Sequence, residues 1–143
     1  NRKIPIIYND SLTERCFGDF EGKKSFEYSN EYYNYNANLQ TNNVEPIQDL
    51  CNRVYSFLDE IPRTYKDKKI LLVTHGATAR VINTYFNGLS DNGYIERIPI
   101  DNCTIKEFEY SIWFFNHYNK NIIFLKKLNI NKSNPPYFLS FFN

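Results

Sequence analysis

His75 closes the run Lys69-Ile-Leu-Leu-Val-Thr74 and is followed at once by Gly76 and a helix-forming segment. A short apolar, β-branched run of this kind reads as a buried parallel strand. The sequence therefore predicts His75 at a strand's carboxyl edge, just before a helix N-terminus. Open α/β sheets take their ligands at that edge. Unpaired amides and the positive end of the helix dipole make the spot receptive to an anion, phosphate above all. An imidazole there can donate to phosphoryl oxygens or attack phosphorus. The same pattern also fits a histidine merely hydrogen-bonded near a turn, because short motifs match by chance.

Phosphoryl transfer needs more than one such group: a nucleophile, charge stabilisation, and a proton donor for the leaving oxygen. Glu14, in Leu12-Thr-Glu-Arg-Cys-Phe-Gly-Asp-Phe-Glu-Gly22, is the best candidate donor. It follows directly on a predicted first strand and turn, so it too can stand at a strand's carboxyl edge. Gly18 and Gly22 let the loop fold back tightly over a ligand. The competing reading is that Glu14, Arg15, Asp19 and Glu21 form a solvated charged loop.

The elements that must position these residues follow from periodicity. Ile4 to Tyr8 reads as a short strand, with Pro5 near its start or on an edge. Residues 9–11 form a turn, residues 12–24 an ordered loop, and a short helix is expected around Phe26 to Tyr33. The strongest helix runs from Val44 to Ile61. Ile47, Leu50, Cys51, Val54, Phe57, Leu58 and Ile61 make one apolar stripe, Asn43 can cap it, Pro46 fits its first turn and Pro62 stops it. The strand ending at Thr74 comes next, then a helix from Ala77 to Phe86 closed by Gly88. Thr104 to Tyr110 and Ile122 to Leu128 read as strands joined across a turn at 116–121. The tail after Asn129 either docks on the domain or belongs to sequence beyond it. The expected division is a domain over residues 1–128 and an aromatic tail over 129–143.

Composition narrows the class. The 143 residues are 42% hydrophobic and 17% aromatic, which excludes a disordered chain and fits one domain with a real core. A formal charge of +1 argues for neither nucleic acid nor an acidic partner. No apolar run is long enough to span a bilayer and no signal-peptide pattern opens the chain. Cys16, Cys51 and Cys103 form no CxxC pair, which suits reduced, buried thiols in a cytoplasmic protein. With two histidines, His75 and His117, and no carboxylate cluster beside them, no metal centre is expected. His117 reads as a hairpin histidine without catalytic duty. The aromatic clusters near Tyr32 and Tyr137 read as core and lid rather than base-stacking platforms. The chain holds no methionine and opens with Asn1-Arg2-Lys3, from which a fragment or a processed chain is expected.

Taken together, Leu-x-Glu-x-x-Phe-Gly-x-Phe-Glu-Gly, an amphipathic helix carrying Arg53, and Leu-Val-Thr-His-Gly-x-x-x-Arg resemble the histidine phosphatase superfamily in order and spacing. The likeness is to its short bacterial phosphatases, extends to Asp101-Asn102-Cys103, and covers about Ile4 to Leu128. It implies an α/β, phosphoglycerate-mutase-like three-layer sandwich with a mostly parallel central sheet. By the same resemblance His75 stabilises the phosphoryl group in flight, while Glu14 protonates the leaving oxygen and later activates water. Gly76 and Arg15 fall at substrate-binding positions, Arg15 where mutase members place an arginine. Arg80 is expected to face the helix surface or orient a neighbour. The resemblance implies no metal, no organic cofactor and a small phosphorylated substrate.

The largest departure is an absence. The family's nucleophile lies in an Arg-His-Gly triplet that ends its first strand, and no such triplet occurs here. The N-terminal strand and helix are thus expected to be missing from this chain. Loss of a central strand would remove several buried side chains worth about 1.5–3 kcal/mol each and expose two strand edges. Residues 1–143 alone are therefore expected to fold poorly. Three functions stay open: a phosphomonoester hydrolase working through phosphohistidine, a phosphoglycerate-type mutase, and a catalytically silent phosphate- or partner-binding module.

Overall fold

Apolar periodicity sets the main elements of the computed structural model, which describes residues 4–23, 29–66, 68–97, 104–110, 120–126 and 138–142, the last two stretches as backbone. The 3.6-residue stripe becomes α1 (Ile47–Thr64), which buries Ile47, Leu50, Cys51, Val54, Phe57, Leu58 and Ile61. The start differs from the sequence expectation. Asn43 has a left-handed φ of 55° and does not cap, and Pro46 is itself the flanking residue, its carbonyl accepting the Asp49 and Leu50 amides at 3.0 and 3.2 Å.

Pro62 does not stop α1 either. It lies inside the last turn, where its missing N–H leaves the carbonyl four residues back without its usual donor. That carbonyl belongs to Leu58, and the Tyr110 hydroxyl donates to it at 2.6 Å. A neighbouring strand thus supplies the donor that proline lacks.

The run expected to be a strand forms β2 (Lys69–Thr74), preceded in the chain by a two-residue β1 (Ile6–Ile7). Helix α2 (Gly76–Asn87) follows β2 at once and ends, as expected, at Gly88, whose φ of 88° suits glycine. Then come β3 (Ile105–Tyr110), β4 (Lys120–Lys126) and β5 (Phe138–Phe142). Only Asn30–Tyr33 of the expected short helix is described as helical, as a 3-10 turn. The predicted turn at 116–121 and the residues His117, Asp101-Asn102-Cys103 and Tyr137 fall wholly or partly outside the described residues.

The strand order is β1-β5-β2-β4-β3. Here the expectation of a mostly parallel sheet fails. Among the described residues β2 and β4 pair in parallel, from Ile70 opposite Ile122 to Thr74 opposite Lys126, while β3–β4, β2–β5 and β1–β5 are antiparallel. A parallel pair needs a crossover, which α2 and β3 provide between β2 and β4. Of the antiparallel pairings, β3–β4 joins consecutive strands, while β5 reaches back to strands much earlier in the chain. The segment over 138–142 lies between β1 and β2, so β2 is paired on both sides rather than left with an open edge.

Successive strand residues face opposite sides of a sheet. Ile70 and Leu72 share one side and enter the core formed by α1, α2, Leu12, Tyr33, Ile95 and Tyr110. Tyr55 of α1 meets Tyr85 of α2 at 5.2 Å between ring centroids, and Phe86 stacks on Phe108 of β3 at 4.6 Å. Tyr32 and Tyr33 are buried, in keeping with a core role for that cluster. Of the two described cysteines, Cys51 is buried, and desolvation pushes its thiol up to about 11. Cys16 is exposed, contrary to the expectation of a buried thiol.

Candidate active site

Residues 13–17, after the 3-10 turn Asp10–Leu12, have no regular structure of their own, so the backbone groups here must find partners elsewhere. They find them on all sides. The Thr74 hydroxyl, at the end of β2, donates to the Leu12 carbonyl at 2.6 Å, and the Thr78 hydroxyl of α2 donates to the Thr13 carbonyl at 2.5 Å. From α1, Arg53 donates to the carbonyls of Ser11 at 2.9 Å, Thr13 at 3.2 Å and Glu14 at 3.3 Å. The loop is thereby fixed against the strand and both helices.

This anchoring aims the Glu14 carboxylate at the first turn of α2. One oxygen accepts the amides of Ala77 at 3.0 Å, Thr78 at 3.4 Å and Arg15 at 3.0 Å. The Gly76 amide also bears on the carboxylate. The unpaired N–H groups at a helix start and the dipole behind them favour a negative charge there. Burial opposes this. Desolvation is the larger influence and raises the Glu14 carboxyl above its ordinary 4.5, while the four amides pull it back. The group is a carboxylic acid tuned upward at a helix terminus.

His75 stands at the head of the same turn. It is the residue between β2 and α2, with extended backbone (φ −114°, ψ 179°), and its carbonyl accepts the Ala79 amide at 2.8 Å. The side chain is half-buried, with Nε2 shielded from water. His75 and Glu14 are 61 residues apart in the chain yet share one helix end, because Glu14 touches the amides two and three residues after His75.

The anion position at α2 therefore has an occupant that sequence reasoning did not foresee. The amides expected to cradle phosphate, that of Gly76 among them, bear on Glu14 in this structure. Arg15, expected at a substrate-binding position, lies inside the fold. Only 1% of it is exposed, and its guanidinium is spent on carbonyls: Nε and Nη2 donate to Glu45 at 2.8 and 2.6 Å, and Nη1 to Tyr32 at 2.7 Å. Burial of the long charged side chain forces it to satisfy its donors inside the fold. In this arrangement Arg15 braces the loop. Arg80 lies over the Tyr33 ring at 4.7 Å, orienting a neighbour as expected, and Arg15 approaches the same ring at 5.3 Å.

Gly18 also serves the chain itself. Its φ is +51°, and a Cβ there would stand 2.3 Å from the backbone of Asn42 and Asn43, against which the loop is pinned by the Asp19 amide on the Asn42 carbonyl at 2.9 Å. So its tight turn packs on residues 42–43.

Sequence reasoning singled out Arg53 without giving it a role and missed Glu45. One signal was present: Arg53 lies three residues after Leu50 and four before Phe57, a charged residue on the flank of an apolar stripe. Among the described residues no group of three or more His, Cys, Asp or Glu could hold a metal, and no helix is long and apolar enough to cross a membrane.

The family model described as histidine phosphatase superfamily (branch 1) matches residues 1–118. A Bacillus subtilis protein named uncharacterized phosphatase PhoE is 29% identical over 82% of this chain and 59% of its own length. A Schizosaccharomyces pombe protein named probable phosphatase C1687.21 is 33% identical over 59% of this chain and 40% of its own. A 2,3-bisphosphoglycerate-dependent phosphoglycerate mutase of Cytophaga hutchinsonii is 28% identical over 61% of this chain and 45% of its own. The chain thus spans about half the length of these relatives, and no solved structure matches it. With its Glu14 loop and its strand–His75–helix junction brought to one helix end, the chain belongs to the histidine phosphatase superfamily, branch 1.

Proposed function

We propose that the protein to which these residues belong hydrolyses small phosphomonoesters through a phosphohistidine intermediate. The observation that carries this reading is the partly buried Glu14 carboxyl seated on the Ala77 and Thr78 amides of the helix turn headed by His75, where burial also raises its pKa. The names of the Bacillus and Schizosaccharomyces relatives support it.

In the first step a second histidine of the whole protein attacks phosphorus. An N–P bond forms, the ester P–O bond breaks, and Glu14 delivers its proton to the departing oxygen. Burial, which raises the Glu14 carboxyl above its ordinary value, favours the protonated form this step requires. His75, at the head of α2, donates to the equatorial oxygens as charge builds on the phosphoryl group. In the second step Glu14, now ionised, takes a proton from water as its oxygen attacks phosphorus, and the N–P bond breaks. Gly76 contributes its amide to the phosphoryl group once the Glu14 carboxylate yields it. The substrate binds at the carboxyl end of β2, and the whole protein completes the three-layer sandwich. No metal or organic cofactor takes part.

A mutase is the second reading, favoured by the likeness to the Cytophaga enzyme. It moves the phosphoryl group to a second hydroxyl instead of water. The test is made on the full-length protein incubated with an alkyl phosphate. Hydrolysis predicts inorganic phosphate, an acid-labile phosphoenzyme, and a loss of about 10²-fold or more in turnover for His75→Ala. Phosphate transfer between hydroxyls without net release favours the mutase. Unchanged hydrolysis by His75→Ala removes that residue from the mechanism.

A further inference from the structure

Glu14 sits in a loop without regular structure, yet its carboxyl must be held to a fraction of an ångström to serve as a proton donor. The α2 contacts fix its tip. What fixes its base is a pair of residues from elsewhere in the chain, Glu45 just before α1 and Arg53 within it. Arg53 donates Nε to one Glu45 oxygen at 2.7 Å and Nη2 to the other at 3.0 Å, a two-pronged pair with side chains 24% and 18% exposed. The same guanidinium reaches over to the carbonyls of Ser11, Thr13 and Glu14.

Glu45 completes the grip with its remaining groups. Its carboxylate accepts the Cys16 amide at 3.2 Å, its own amide donates to the Cys16 carbonyl at 2.9 Å, and its carbonyl takes Arg15. Residues 11 to 16 are thus tied on both sides of Glu14 to one ion pair. We propose that the Glu45–Arg53 pair is the positioning device for the Glu14 proton donor, carrying the place of α1 into the site. This rests on the hydrolase reading above. Arg53 touches neither substrate nor the reacting atoms in this scheme; it acts through the backbone of Glu14. A lysine cannot replace it, because one ammonium lacks the planar fork that meets a carboxylate and three carbonyls together.

The leaving group separates positioning from general damage. A nitrophenolate departs without a proton, while an alkoxide needs one. The measurement is kcat/KM of the full-length protein on p-nitrophenyl phosphate and on β-glycerol phosphate, for Glu14→Gln, Arg53→Lys and Glu45→Gln, with thermal melting of each. The expected result is that all three lose about tenfold or more on the glycerol ester but stay within about threefold on the nitrophenyl ester. Arg53→Lys in a Glu14→Gln background should add no further loss, since it acts only through Glu14. If Arg53→Lys fails to fold, Glu45→Gln, which retains the side-chain volume, bears the test. Equal losses on both esters, or none, for Arg53→Lys and Glu45→Gln overturn the positioning role while a selective loss in Glu14→Gln leaves the acid in place. A Glu14→Gln protein without selectivity overturns the hydrolase reading itself, and the inference with it.

Discussion

Glu14 is subject to two opposed influences, and their balance has a consequence beyond catalysis. Burial disfavours its charge more than the α2 amides favour it, so its pKa in the folded protein is raised above 4.5. Between the ordinary and the raised value the folded state holds a proton that the unfolded chain has lost. Stability from this group is therefore full below its ordinary pKa and declines as pH rises through the folded one. Glutamine keeps an acceptor oxygen for the Ala77 and Thr78 amides and never ionises. Glu14→Gln should melt at a temperature that rises relative to the natural protein as pH goes from about 4 to about 8. A relative gain at the acid end instead would mean that the amides outweigh burial. The place of His75 between β2 and α2 was legible in the sequence, because the apolar run and the helix-forming segment on either side of it are contiguous. The roles of Arg53, Glu45 and Arg15 were not, since their partners lie 17 to 42 residues away in the chain, apart from the Arg53–Glu45 pair itself. For Arg15 the resemblance implied a substrate-binding position, while its burial and its bonds to the Glu45 and Tyr32 carbonyls could be read only from the fold.

At the scale of elements, the apolar stripe of α1 and the abrupt β2–α2 junction follow directly from residue periodicity, and both form. The ends of α1 do not follow so simply. Pro62 was expected to stop the helix because it removes a donor and crowds the preceding turn. The helix continues because a hydroxyl from another element takes over the donor's task, which no local rule can foresee. Tyr110→Phe should leave the buried Leu58 carbonyl short of that bond, at a cost of about 1–3 kcal/mol in a urea melt. A change within error would show that the carbonyl finds another donor at no cost. Helix α2 ends at Gly88 as its sequence requires, so the turn holding Ala77 and Thr78 begins a regular helix of full length.

The whole molecule is where sequence reasoning about the sheet went astray. Hydrophobic runs report burial and strand character, but they carry no direction, and β4 and β5 could each have paired either way. An absent central strand was expected to leave edges open, yet β5 pairs with β2 from Lys69 opposite Phe142 to Val73 opposite Phe138. Its other side takes Ile6 and Ile7 of β1. Ser140 lies opposite both Ile6 and Leu71, so a proline there removes a ladder donor in the interior of the sheet. Ser140→Pro should lower stability by about 3 kcal/mol or more, read as a fall in melting temperature. An unchanged melt would mean that this pairing contributes nothing to the fold that positions β2 and, through it, His75.

The most direct measurement is the pH dependence of kcat for Glu14→Gln in the full-length protein, hydrolysing an alkyl phosphate. With Glu14 as proton donor and later as base, turnover should fall about 10²-fold or more, and the alkaline limb that reports loss of the Glu14 proton should vanish from the profile. Hydrolysis at the natural rate, with the same limb in place, would contradict the assignment and leave Glu14 as no more than the cap of α2.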